Sequence, residues 1–167
     1  MKNALLNAWL KTLASQSDAP AVLQAAGDAL RTFREIDAEA ADFGAGMLSG
    51  FSSGSVVAVQ LGNHTCWPAV LLACWQRGLV VLPLERAISA SERESALQVC
   101  RAAALLTDNG DGVAAARLEH ETVNWGQHVP VLLKLTSGTT AAPRVIRFRS
   151  EQLLADCVQI CDTMGIT

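Results

Sequence analysis

Tyrosine is absent from this 167-residue chain, and aromatic residues make up only 5% of it. Charged residues are also few, at 17%, and the formal net charge is −3. A dedicated nucleic-acid binder carries a basic excess, so this balance argues against DNA or RNA as a partner. Hydrophobic residues supply 50% of the chain, which excludes a disordered charged tail.

The chain also lacks the spacing of a disulfide framework or a metal site. The five cysteines are an odd number with no CxxC pair, so we expect reduced thiols, mostly core filler, in a cytoplasmic protein. They are Cys66, Cys74, Cys100, Cys157 and Cys161. The three histidines, His64, His120 and His128, form no HExxH or HxH pair, and no metal ligand is predicted. His64 fits a solvated helix start better than a cleft residue, and His120 fits a solvated loop.

No segment has the character of a signal peptide or a membrane span. Polar residues break the apolar run of residues 1–13. The most apolar stretch, residues 67–84, contains Gln76, Arg77 and two prolines, and its length is marginal for a bilayer. We interpret it as a buried helix followed by a buried strand.

Periodicity and caps predict alternating helices and strands. Thr32 and Glu35 have the spacing of a capping box, and Ser89 and Ser91 offer two overlapping ones with Glu92 and Glu94. Helices are predicted over 3–15, 33–50, 63–77, 89–101 and 150–164, the last capped by Ser150. Strands are predicted over 21–24, 29–33, 55–61, 79–82, 103–107, 129–135 and 144–148, with 109–127 mostly loop. The first two are predicted to form a β-hairpin.

This order predicts a single α/β subdomain over residues 1–167, with a mostly parallel sheet flanked by helices on both faces. Ligands of such sheets bind at the carboxyl ends of the strands. After the strand at 129–135 comes Thr136-Ser137-Gly138-Thr139-Thr140, followed by Arg144. Hydroxyls, a glycine that exposes backbone N–H groups, and a guanidinium together favour phosphate oxygens. Composition alone leaves an ordinary Ser/Thr-rich turn equally open. By strand alternation Arg147 and Arg149 share the face opposite Arg144, so only Arg144 is a strong phosphate candidate.

Residues 136–143 resemble the phosphate-binding loop TSGTTGxPKGV of the adenylate-forming superfamily, which contains acyl-CoA synthetases, peptide-synthetase adenylation domains and luciferases. Residues 30–36 and 78–84 look like its L-T-Y-x-E-L and G-x-x-x-V-P-L segments, in the same order. The resemblance covers roughly residues 20–167, and it implies the N-terminal subdomain of the adenylate-forming ligase fold. This chain departs at Ala141 and Val145, where the family has glycine, and at Arg144, where it has lysine.

In that family a carboxylic acid attacks the α-phosphate of ATP–Mg²⁺, giving acyl-AMP and pyrophosphate. The acyl group then passes to a thiol of CoA or of a carrier protein. The resemblance implies that Thr136, Ser137, Gly138, Thr139 and Thr140 bind the β- and γ-phosphates and that Arg144 offsets their charge. The family's acid pocket, adenosine site and C-terminal domain with its catalytic lysine lie beyond residue 167. We therefore expect an N-terminal fragment that is inactive alone, with no catalytic residue of its own.

Two other readings stay open. One is a non-catalytic scaffold or interaction module that retains half of the ligase fold, and the other is a nucleotide-binding α/β domain unrelated to ligases. Three weaker motifs are set aside. Gly44, Gly46 and Gly50 close a helix instead of opening one, which favours tight packing and a C-cap over a dinucleotide site. Ser137 lacks a nucleophile elbow. Cys157 and Cys161 share a helix face that we expect to be core.

Overall fold

The computed structural model describes residues 3–120, 122–136 and 144–165. Its elements in chain order are α1 (Ala4–Gln16), β1 (Pro20–Leu23), β2 (Ala29–Thr32), α2 (Phe33–Ala45), β3 (Val56–Gln60), α3 (Trp67–Gln76), β4 (Val80–Pro83), α4 (Ala90–Cys100), β5 (Ala102–Asp108), β6 (Val113–Arg117), β7 (Leu132–Thr136), β8 (Arg144–Phe148) and α5 (Ser150–Met164).

Six strands form one mixed sheet in the order β6-β5-β3-β4-β7-β8. The four inner strands are parallel, and the edge strands β6 and β8 are antiparallel to their neighbours. The mostly parallel sheet predicted from the sequence is therefore confirmed. Strands β1 and β2 form a separate antiparallel hairpin, also as predicted.

The sheet buries both of its faces, because β3 carries apolar side chains on each side. Val57 and Val59 face α2 and α3, whereas Val56 and Ala58 face α4. All four are at most 1% exposed. Helices on both faces of an apolar sheet are the expected architecture.

Local capping chemistry decides several helix starts. The Asn3 side chain accepts the Leu5 and Leu6 N–H groups at the start of α1. Thr32 and Glu35 close a reciprocal capping box at α2. At α4 the box forms between Ser89 and Glu92, so of the two overlapping boxes in the sequence the first is the one used.

Two predicted helix boundaries are wrong. Helix α2 ends at Ala45 and not near Gly50, because the Gly46 N–H bonds back to the Asp42 carbonyl and the backbone then leaves the helical region. Helix α3 begins at Trp67 and not at residue 63. Pro68 has no N–H to donate, so it fits the first helical turn but not the interior of a longer helix.

The segment predicted as loop contains strand β6, which pairs with β5 along its whole length. Two Asx turns join the strands, in which Asp108 and Asn109 side chains accept the N–H groups of Gly110 and Asp111. The alanine-rich sequence of β6 has weak strand propensity, and the pairing with β5 outweighs it.

Helix α5 differs most from expectation. Ser150 is its only buried residue, and Ser150 is not its N-cap, a position held by Arg149. The Ser150 hydroxyl instead accepts the N–H of Ala4, tying α5 to α1. Cys157 is exposed and Cys161 only half-buried, so the core role predicted for that face is wrong within the described residues.

Candidate phosphate-binding site

The candidate site begins where β7 and β8 pair. The antiparallel register runs from Leu132 opposite Phe148 to Thr136 opposite Arg144. Residues 137–143 connect this last pair. Ser137, Gly138, Thr139 and Thr140 lie outside the described residues, so only Thr136 and Arg144 of the predicted set can be placed.

Strand alternation places Thr136 and Arg144 on the same face. Leu133, Leu135 and Val145 pack into the cluster on the α4 side of the sheet. Thr136 and Arg144 therefore face the opposite side. The Arg144 side chain is exposed and makes no hydrogen bond or ion pair with any described residue.

Lys134 adds a cation that the sequence motif did not reveal. It lies two residues before Thr136, is exposed, and shares the face of Thr136 and Arg144. It precedes the hydroxyl-rich run, and only the strand register shows that it faces the same way.

The neighbouring arginines point elsewhere, as strand alternation predicted. The Arg147 guanidinium lies over the Trp125 ring, 5.2 Å from its centroid, on the α4 side. Arg149 is the N-cap of α5, and its N–H donates to the Gln152 side chain. Of these three arginines, Arg144 alone is aligned with Thr136.

The carboxyl end of β3 anchors the next loop along the same edge. The Gln60 side-chain amide donates to the carbonyls of Glu85 and Arg86, at 3.3 and 3.2 Å. Its oxygen accepts a long, 3.4 Å hydrogen bond from Arg93 of α4. The β4–α4 connection is thereby fixed beside the site, by a residue with no sequence signature.

Buried thiols contribute no nucleophile. Burial raises the pKa of Cys74 to about 12 and that of Cys100 to about 11. A thiol reacts as its thiolate, so both side chains are inert at neutral pH and serve as core filler, as predicted.

Two histidines are held by local hydrogen bonds. The His64 ring Nδ1 accepts the Cys66 N–H at 3.1 Å in the turn before α3. The Nδ1 of His120 lies 2.9 Å from the Ala102 carbonyl. A carbonyl only accepts, so this nitrogen carries the proton. His120 thus lies in a loop, as predicted, but it is half-buried and tied to β5 and not fully solvated.

Among residues 3–120, 122–136 and 144–165, no three His, Cys, Asp or Glu side chains are placed to hold a metal ion. No helix of this part of the chain is long and apolar enough to cross a membrane.

A groove of about 500 Å³ lies at the opposite, amino edge of the sheet. Trp75, Val131 and Ser150 line it, and their polar groups are already paired. The Trp75 N–H donates to the Val131 carbonyl, and the Ser150 hydroxyl accepts from Ala4. We assign no ligand to this groove, because these polar groups of its lining are already hydrogen-bonded within the protein.

Comparison with solved structures defines the class of fold. The chain matches O-succinylbenzoate CoA synthetase (MenE) from Bacillus subtilis in complex with AMP, with a TM-score of 0.75 and 20% identity over 95% of this chain and 46% of that one. It matches VinN in complex with 3-methylaspartate, with a TM-score of 0.76 and 19% identity over 95% of this chain and 51% of that one. The fold is the N-terminal subdomain of adenylate-forming enzymes.

A third structure, the N-terminal subdomain of Klebsiella oxytoca NpsA, gives a TM-score of 0.68 at 17% identity, over 89% of this chain and 42% of that one. Among curated proteins, the hybrid PKS-NRPS synthetase buaA of Petromyces alliaceus is 27% identical over 91% of this chain and 4% of its own length. The chain thus spans about half of the structural relatives and a small part of the synthetase.

The family model described as AMP-binding enzyme matches residues 10–130. The chain belongs to the AMP-binding enzyme family, and the resemblance inferred from its sequence is confirmed. The matched residues end before Thr136, so the family assignment rests on the sequence of residues 10–130 and is independent of the phosphate-loop motif.

Proposed function

We propose that this chain is the N-terminal subdomain of an ATP-dependent carboxylic acid ligase, acyl-CoA synthetase-like, which forms acyl-AMP and then an acyl thioester. The observation that carries the proposal is the end of the β7–β8 pair. Thr136 and Arg144 are registered opposite each other there, on one face, with the hydroxyl-rich residues 137–140 between them in the chain.

In this proposal Thr136, Ser137, Gly138, Thr139 and Thr140 donate hydrogen bonds to the β- and γ-phosphates of ATP. Arg144 supplies a bidentate, permanently charged donor. Charge-assisted hydrogen bonds of this kind contribute about 1.5–3 kcal/mol each. These residues position the triphosphate and stabilise the charge that builds up on departing pyrophosphate.

Magnesium is proposed to arrive with ATP, because the described residues contain no carboxylate cage for it. When bound, Mg²⁺ neutralises charge on the phosphate oxygens. The protein's part at this edge is to supply neutral and cationic donors, and those present, Thr136, Arg144 and Lys134, suit an anion.

We propose that the longer enzyme takes a carboxylic acid as substrate and a thiol of CoA or of a carrier protein as acyl acceptor. We also propose that it is cytoplasmic. The chain covers at most 51% of the matched structures described above. We therefore propose that this chain is one α/β subdomain of the enzyme and makes no acyl-AMP by itself.

An amide NMR titration of the 167-residue chain with ATP tests the site. We expect weak binding, with a dissociation constant of about 1 mM or more, or near −4 kcal/mol. Shifts should appear at Thr136 and Arg144 and be absent at Trp75 in the amino-edge groove. Shifts confined to that groove, or none at any concentration, would overturn the proposal.

A non-catalytic interaction module is the second candidate, favoured by the apolar side chains that α5 leaves in solvent. Val158, Ile160 and Met164 are 53%, 55% and 69% exposed. Sedimentation analysis separates the two candidates. A stable oligomer of defined size would support the interaction module. A monomer that associates non-specifically would support a subdomain separated from the rest of its enzyme.

A further inference from the structure

Arg86 is a further charged residue of the carboxyl edge that, like Lys134, the phosphate motif does not include. It lies in the connection from β4 to α4, and its side chain is exposed. Its backbone is fixed, because the Gln60 side chain donates to the Arg86 carbonyl at 3.2 Å. The loop position is therefore determined by β3 and not left to an unrestrained turn.

The aliphatic part of Arg86 is fixed as well. Gly62 has φ +60°, and a Cβ built on it would lie 3.3 Å from the Arg86 Cδ and 3.4 Å from its Cβ. The stem therefore lies directly over Gly62, at the carboxyl end of β3. A side chain at residue 62 would be strained in this backbone conformation and would press on Arg86.

The Arg86 guanidinium is unpaired among the described residues. Arg86 makes no side-chain hydrogen bond or ion pair with any residue in the part of the chain that the structure describes. Glu85 is its exposed neighbour and forms no ion pair with it. A permanently charged group with a fixed stem and a free head is ready to bind an anion.

Strand register places this loop next to the candidate site. Val81 of β4 pairs with Leu132 of β7 in parallel. This pairing aligns the carboxyl ends of β4 and β7, and β4 ends at Pro83, three residues before Arg86. The carboxyl ends of β3, β4 and β7 therefore share one edge, with Arg86 over β3 and Arg144 on β8.

We propose that Arg86 binds one phosphate group of a polyphosphate whose other end is held at Thr136 and Arg144. The sheet order β3-β4-β7-β8 separates the two anchoring strands by three spacings, or roughly 14 Å. A single phosphate is too small to bridge this width, whereas linked phosphates extend along the edge. The inference rests on the proposed function, since it adds Arg86 to the cations Arg144 and Lys134 of the same site.

NMR titration of the 167-residue chain with sodium tripolyphosphate tests the inference through four variants. Arg86→Gln removes the charge, Arg86→Lys keeps it, and Arg144→Gln removes the other proposed cation. Lys11→Gln, on exposed α1, makes the same change in net charge away from the edge. Thermal unfolding of each variant verifies that the fold is retained.

We expect Arg86→Gln to weaken tripolyphosphate binding about three- to tenfold, within the range for an exposed charge-assisted contact. Arg86→Lys should weaken it less, and Lys11→Gln should leave it unchanged. The Arg86 Nε–H and Gly62 N–H signals should shift during the wild-type titration.

Three results would overturn the inference, and they are distinguishable. If Arg86→Gln binds tripolyphosphate as wild type does while Arg144→Gln binds it more weakly, Arg86 is not part of the site and the proposed function still holds. If the wild-type chain does not bind tripolyphosphate, both the role of Arg86 and the proposed phosphate site are rejected. A larger effect of Arg86→Gln on adenosine 3′,5′-bisphosphate than on tripolyphosphate would assign Arg86 to the phosphates of a thiol acceptor's nucleotide instead.

Discussion

The centre of the sheet and its β7–β8 end are built on different principles. In the centre, Val56, Val57, Ala58 and Val59 of β3 are at most 1% exposed, with helices on both faces. At the other end no residue of β8 is buried, and α5 buries only Ser150. The buried apolar core is concentrated in the centre, whereas the end carries Lys134 and Arg144, which have no side-chain partner among the described residues.

This difference explains where a ligand can act. Polar groups in the centre are consumed by pairing, as when Gln60 bonds two carbonyls and Arg93. The side chains of Arg144 and Lys134 at the β7–β8 end, and of Arg86 at the carboxyl end of β3, have no partner among the described residues. Free donors on a rigid sheet are the condition for binding an anion without reorganisation.

Thiol labelling should give the largest contrast between the two regions. Because burial raises the pKa of Cys74 to about 12, only about one such thiol in ten thousand is ionised at pH 8. Exposed Cys157 of α5 should react with a disulfide reagent at least a thousandfold faster than Cys74. Mass spectrometry of quenched samples measures both rates. In Cys157→Ser the amplitude of the fast labelling phase should decrease. Equal labelling rates at Cys157 and Cys74 would contradict the difference in burial between the two regions.

Truncation in the two regions should give the next largest difference. Leu106 of β5 is fully buried, so Leu106→Ala should lower the free energy of unfolding by about 2–5 kcal/mol. Ile146 of β8 is 41% exposed, and Ile146→Ala should cost about 1 kcal/mol or less. Urea unfolding of both variants gives the comparison, and similar losses would mean that the β7–β8 end is as tightly packed as the centre.

A smaller effect tests which capping box starts α4. Ser89→Ala should destabilise the chain by about 1 kcal/mol, because the Ser89 side chain accepts the Glu92 N–H. Ser91→Ala is the matched control and should have little effect. If thermal unfolding shows a larger loss of stability in Ser91→Ala than in Ser89→Ala, the cap lies at Ser91.

The same cap predicts a pH dependence. Hydrogen bonds from the Ser89 hydroxyl and N–H hold the pKa of Glu92 below its usual value. A carboxyl with a lowered folded-state pKa stabilises the fold above its unfolded pKa and loses that contribution as pH falls through the folded value. The difference in free energy of unfolding between wild type and Ser89→Ala should therefore become smaller as the pH is lowered. A difference that grows in acid would contradict this explanation.

Much of the fold could be predicted from the sequence, because local signals and the final structure agree. The Thr32–Glu35 box, the apolar strands and the sheet class all follow from short-range patterns. The alanine-rich strand β6 could not be predicted, since only its partner β5 stabilises it. The amphipathic pattern of α5 predicted a buried face that the described residues do not cover.

The site was less predictable than the fold. The hydroxyl-rich motif indicated Thr136 and Arg144, and strand alternation correctly separated Arg144 from Arg147. Lys134 and Arg86 had no signature, because their relevance depends on which strands are neighbours and how far each extends. The roles of Ser137 to Thr140 stay predictions.

The most direct test of the proposed chemistry is acid-dependent ATP–pyrophosphate exchange. The full product of the gene that encodes these residues should be compared with its Arg144→Ala variant and with the 167-residue chain alone. We predict exchange by the full product, slower exchange by Arg144→Ala, and none by the 167-residue chain. Unchanged kinetics in Arg144→Ala, or exchange by the 167-residue chain alone, would contradict the account.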